Sequence, residues 1–180
     1  MKRPQVYSTI FILFVVLLMV LPILLTFNQV LTDTVNKFKL YKALQDYVVP
    51  IQIRMVTLLV KPLGIDPIAR VNGFTVNGTD LVMTWNCVGW QSLFLFAITL
   101  FVGFKNGAYT LVSKVEAVMI GLLGTFIVNL LRLTVIVVIF AYLRPIYGIV
   151  YHDYLAAIVT VIWLFWFWSF AYKNVLEVRT

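Results

Sequence analysis

Three side chains stand out in this 180-residue chain for the chemistry their types allow. Cys87 is the only cysteine and His152 the only histidine. Arg132 lies in Phe126-Ile127-Val128-Asn129-Leu130-Leu131-Arg132-Leu133-Thr134, apolar on both sides. Cys87 sits in Thr84-Trp85-Asn86-Cys87-Val88-Gly89-Trp90-Gln91-Ser92, where a polar, strand-prone segment gives way to an apolar run. A thiol there meets water on one side and a helix N-terminus on the other. The backbone dipole and a nearby guanidinium both favour the nucleophilic thiolate. Gln91, one turn on, shares its face and could donate a hydrogen bond. Arg132 cannot act as a base, but it could stabilise a thiolate or an oxyanion. His152 is the one side chain that titrates near neutrality unperturbed, so it is the candidate acceptor for the Cys87 proton. Each residue also has a plain structural reading. A free cysteine packs as a small hydrophobe. An arginine snorkels to a phosphate or pairs with a carboxylate. A histidine beside Tyr151 fits a membrane interface.

Spacing favours an inward Arg132. Gly121, Thr125, Asn129 and Arg132 follow i, i+4, i+8, i+11. Such a small-and-polar stripe packs against another helix. It aims Arg132 into a bundle with Asn129 beside it. His152, Ala156 and Thr160 form a similar small face.

Composition sets the medium for these residues. Hydrophobic residues make up 62% of the chain and charged ones 12%. A soluble domain is nearer half apolar and a quarter charged. The expectation is a single all-α integral membrane domain over residues 1–180. The net charge of +7 is scattered at segment ends, which is a membrane-flank pattern and not a nucleic-acid stripe. One cysteine excludes an internal disulfide framework and a cysteine-rich metal site. No cofactor is expected.

About four transmembrane helices are expected: Val6–Phe27 after Lys2 and Arg3, Val88–Phe104, Val115–Tyr142 and Leu155–Tyr172. The first is too long for a signal-peptide core and lacks a small-residue cleavage site. The third exceeds a span, so it is either tilted or bent near Arg132. A long extracytoplasmic loop runs from about 28 to 86. Within it, Pro50 suits the first turn of a short interfacial amphipathic helix, Ile51–Lys61, with Arg54, Thr57 and Lys61 on its polar face. Val71-Asn72-Gly73 and Val76-Asn77-Gly78 are tight-turn signals. They predict a small β-hairpin of Phe74–Val76 with Leu81–Trp85, leading to Cys87. Lys2/Arg3, Lys105/Lys114 and Lys173/Arg179 share one side of a four-span arrangement, which puts both termini in the cytoplasm. Cys87, Arg132 and His152 then face the extracytoplasmic side of the cell membrane. The Trp163–Trp168 cluster reads as bilayer anchoring.

From about Ile51 to Ala157 the chain resembles the exosortase/archaeosortase family of membrane cysteine transpeptidases. The resemblance rests on Cys-x-Gly at the start of a span (Cys87, Gly89), Asn-x-x-Arg in a later span (Asn129, Arg132) and a histidine at the next outer boundary (His152). It implies recognition of exported proteins that end in a sorting tail: a short motif, a transmembrane helix and a basic cluster. Cys87 would attack the carbonyl before the helix and release the tail. The acyl group would pass to a lipid head group or another surface nucleophile. Arg132 would be the electrostatic partner. His152 would take a position that is an arginine in some archaeosortases. Two alternatives stand beside this: a non-enzymatic membrane scaffold or channel subunit, and a hydrolytic membrane cysteine protease with water as acceptor.

Overall fold

The computed structural model describes residues 8, 11–13, 15–16, 19, 40–83, 85–105, 107–143, 147–148, 151 and 156–177. Its main elements are helix α1 (Leu40–Val60), strands β1 (Ile68–Arg70), β2 (Gly73–Val76) and β3 (Thr79–Val82), and helices α2 (Trp90–Lys105), α3 (Leu111–Tyr142) and α4 (Ala156–Asn174). Short 3-10 turns at Lys61–Leu63 and Trp85–Val88 follow α1 and precede α2.

The long helix α3 is the axis. Thr110 caps it, its hydroxyl accepting from the Ser113 amide at 3.3 Å. This satisfies one of the donors that a helix start leaves open. Ser113, Ala117, Gly121, Thr125, Asn129, Leu133 and Val137 are its buried positions at a spacing of four. Four residues turn about 400°, so the stripe gains about 40° per step and winds around the helix. One helix therefore serves two cores. Ala117 packs with Leu95 and Phe96 of α2 and Leu164, Phe167 and Trp168 of α4. Further along, Leu130, Leu133, Ile136 and Val137 pack with Val49, Ile53, Val56 and Val60 of α1 and Phe74 and Val76 of β2. Gly121 is needed where α2 crosses, because a Cβ there would overlap the Phe96 ring.

The strands form one antiparallel sheet in the order β1-β2-β3. Val76 pairs with Thr79 across Asn77-Gly78, whose φ values of 50° and 78° are both positive, as a two-residue hairpin turn requires. The Asn77 side chain donates to Ala141 O at 2.8 Å, and Tyr142 Oη donates to Leu63 O at 2.7 Å. The sheet and the end of α1 are thereby fastened to the C-terminal end of α3.

The architecture corrects the sequence reading in several places. The protein is mostly helical with a three-stranded sheet, not all-α with one hairpin. Among the described residues one helix, α3, is long and apolar enough to cross a membrane, against about four expected. At 16 residues α2 is about 24 Å long, short of about 30 Å of hydrocarbon. The expected span at 6–27 lies largely outside the described residues. Among the described residues the four-span count is therefore not met. The helix expected at Ile51–Lys61 begins at Leu40 and holds Pro50 in its interior. Its buried face, Val49, Gln52, Ile53, Val56 and Val60, packs into the protein, while Ile51, Arg54, Met55, Leu58 and Leu59 are exposed. Val115–Tyr142 is part of one continuous α3.

Candidate active site

Cys87 belongs to the core that α1, β2 and α3 share, in the 3-10 turn ahead of α2. The turn does not run directly into the helix. Gly89 intervenes at φ +91°, and α2 opens with the Leu93 amide donating to Gly89 O at 3.1 Å. The carbonyls of Cys87 and Val88 therefore precede the first helical bond of α2. Two helices supply their partners. Asn129 Nδ2 on α3 donates to Cys87 O at 3.1 Å, and Gln52 Nε2 on α1 donates to Val88 O at 3.1 Å. The Asn129 amide also lies flat against Gly89: a Cβ there would stand 2.7 Å from its Cγ. The segment Cys87-Val88-Gly89 is thus held from both sides.

Cys87 is 8% exposed, within the cluster that contains Val88, Leu130 and Leu133. Arg132 is 6% exposed and lies one helical turn beyond Asn129. Residues three apart on a helix are neighbours on one face, about 5–6 Å between Cβ atoms. The amide that touches the Cys87 main chain and the buried guanidinium therefore share one side of α3. A guanidinium taken out of water is costly unless neighbouring groups compensate it. Tyr151 senses that charge. Burial raises its phenol pKa above the ordinary value, and Arg132 acts in the opposite direction.

The structure therefore brings Cys87, Asn129 and Arg132 to one region. Gln91 lies in the first turn of α2, half-buried. Its expected shared face with Cys87 assumed a continuous helix, which Gly89 interrupts. His152 lies outside the described residues. Two residues of the region escaped the sequence reading. Gln52 was not among the residues the sequence singled out. Its signal was a lone amide in the stripe Val49, Gln52, Ile53, Val56, Val60. Tyr151 was read only as an interfacial aromatic, yet it packs against the Cys87 cluster. Polar pairs also join α2 to α4 and α3 to α4. The Ser92 and Thr160 hydroxyls are 3.0 Å apart, and Trp163 Nε1 donates to Thr125 Oγ1 at 3.1 Å. Among the described residues no three His, Cys, Asp or Glu side chains converge as a metal site would need.

What the arrangement can do is hold one thiol on a main chain fixed from two helices, with one buried positive charge on the same side of α3 as the Asn129 amide. Comparisons with protein-family models, with characterised proteins and with solved structures returned no match, so the functional reading rests on this geometry and on the sequence.

Proposed function

We propose that this protein is a membrane cysteine transpeptidase in which Cys87 is the nucleophile and Arg132 its electrostatic partner. The observation that carries the proposal is the Asn129 amide bonded to the Cys87 carbonyl, one helical turn from the buried Arg132. The Cys87 thiolate attacks a substrate peptide carbonyl, forming a C–S bond and an oxyanion. Arg132 stabilises the thiolate or that oxyanion. His152, adjacent in sequence to the Tyr151 that feels Arg132, takes the thiol proton and returns it to the leaving amine. The C–N bond breaks and a thioester remains. A lipid or other surface nucleophile then takes the acyl group. The substrates are exported proteins with a C-terminal helix and basic cluster.

A membrane setting is supported by α3, whose outward positions Val115, Met119, Leu123, Ile127, Leu131 and Val135 are exposed and apolar while its inner stripe holds glycine, threonine, asparagine and arginine. That inverts the pattern of a water-soluble helix and suits lipid outside and polar packing inside.

The test is a reporter ending in a hydrophobic helix and a Lys/Arg cluster, presented to the full chain in liposomes. Cys87→Ala should abolish cleavage, and Arg132→Gln should slow it by about 10²–10³-fold. Normal cleavage by Cys87→Ala ends the proposal. Mass spectrometry of the product C-terminus separates transfer from hydrolysis, which leaves a free carboxylate. One observation favours a second reading, a scaffold or channel subunit with a structural thiol: Cys87 is buried among apolar side chains. Slow iodoacetamide labelling at neutral pH in the folded protein, with a silent Cys87→Ser variant, would support it.

A further inference from the structure

We propose that Gln52 is a positioning residue for Cys87, a role that rests on the thiol chemistry above. Gln52 is on α1, 36 positions from the carbonyl it bonds and on a different helix from Asn129. It is fully buried, yet its Oε1 has no hydrogen-bond partner among the described residues. A buried amide oxygen left in that state costs about 1–3 kcal/mol. If α1 needed only to pack at this point, leucine would fill the site without that cost. The feature that leucine cannot supply is the Nε2 donor to Val88 O.

The geometry explains why that donor matters. The Cys87–Val88 and Val88–Gly89 peptide units are planar, so fixing a carbonyl direction fixes the whole unit. Asn129 sets the first and Gln52 sets the second. Gly89 at φ +91° is the freest backbone position in the segment and cannot hold the orientation by itself. With only one of the two bonds, the Val88–Gly89 unit can rotate about the Gly89 side. The start of α2 then moves relative to the thiol. The donor on α1 therefore sets how Cys87 sits between the N-terminal end of α2 and the α3 face that bears Arg132.

The experiment uses the full chain in liposomes, where the single cysteine makes iodoacetamide alkylation specific for Cys87. The rate is measured against pH for the parent and for Gln52→Leu, with Gln52→Met as a second donor-free variant should the first fail to insert. The expected result is an unfolding temperature close to the parent's and an alkylation midpoint moved up by about one pH unit. That corresponds to about tenfold less thiolate at neutral pH. Reporter cleavage should fall in kcat with KM unchanged. A midpoint and kcat equal to the parent's overturn the role of Gln52. A lowered unfolding temperature with an unmoved midpoint also overturns it, and assigns Gln52 to stability alone. The parent reading fails separately, if Cys87→Ala still cleaves the reporter. The alkylation profile reports on Gln52 in either case.

Discussion

Gly89 carries two constraints at once, and each forbids a side chain. Its φ of +91° is a conformation that L-residues rarely adopt, and the Asn129 amide occupies the space a Cβ would take. Strain of the first kind costs about 1–3 kcal/mol. The second forces Asn129 away from Cys87 O. Gly89→Ala should therefore lower stability by at least that amount and slow reporter cleavage, as read by thermal unfolding and by the liposome assay. Tyr151 gives a pH signature. Burial raises its pKa and Arg132 partly offsets the rise. A folded-state value above the unfolded one leaves stability intact below about pH 10 and erodes it as pH climbs through the folded value. Unfolding midpoints should fall as pH climbs above about 10. Tyr151→Phe should flatten that fall. Arg132→Met, which removes the opposing charge, should extend it to higher pH. Much at this scale was legible in the sequence: Cys87, Asn129 and Arg132 were marked by rarity and spacing. Gln52 was not, because one amide among valines and isoleucines gives no hint of a partner 36 residues away.

At the scale of elements, local chemistry fixed turns well and lengths poorly. Asn77-Gly78 is the hairpin turn its residue types predict. Val71-Asn72-Gly73 looks equivalent in sequence, yet there the loop is Val71-Asn72, and Gly73 opens β2 paired with Arg70. The glycine is required for a different reason: a Cβ at Gly73 would collide with the Leu81 carbonyl of the facing strand. That contact exists only once β3 is in place, so no local rule reveals it. Pro50 misled in the same way. Proline at a first turn and proline inside a helix read alike, and packing of Val49 through Val60 against α3 and the sheet carries α1 across the lost hydrogen bond. The winding stripe of α3 makes the sharpest test. Gly121→Leu would drive a branched side chain into Phe96 and Phe167. Overpacking of this kind costs about 1–3 kcal/mol. It should loosen α2 and α4 while leaving the α1–sheet core in place. Hydrogen exchange would then rise in α2 and α4 and stay unchanged in β2 and α1.

For the whole molecule the question is where its apolar exterior belongs. Composition gave the membrane expectation, but apolar content cannot say how many segments cross, because buried and lipid-facing helices draw on the same residues. Among the described residues α3 alone has both the length and the hydropathy. Its 32 residues reach about 48 Å, about 18 Å beyond a hydrocarbon core. The surplus has an evident use. The last turns of α3 carry the contacts to Asn77 and Leu63, so they project as the mount for the sheet and α1. The exposed apolar positions from Val115 to Val135 leave the rest for lipid in the membrane reading proposed above. That reading predicts an asymmetry between the faces of one helix. A lysine at the bilayer centre costs about 2.5–3.5 kcal/mol. Leu123→Lys and Ile127→Lys, at exposed positions that touch no core cluster, should together strip the protein from membranes in an alkaline carbonate wash. On a water-facing helix the same pair would change nothing, or improve solubility. Retention of the double variant in the membrane fraction at the parent's level would place this face against protein or water, and the bilayer assignment of α3 would fall.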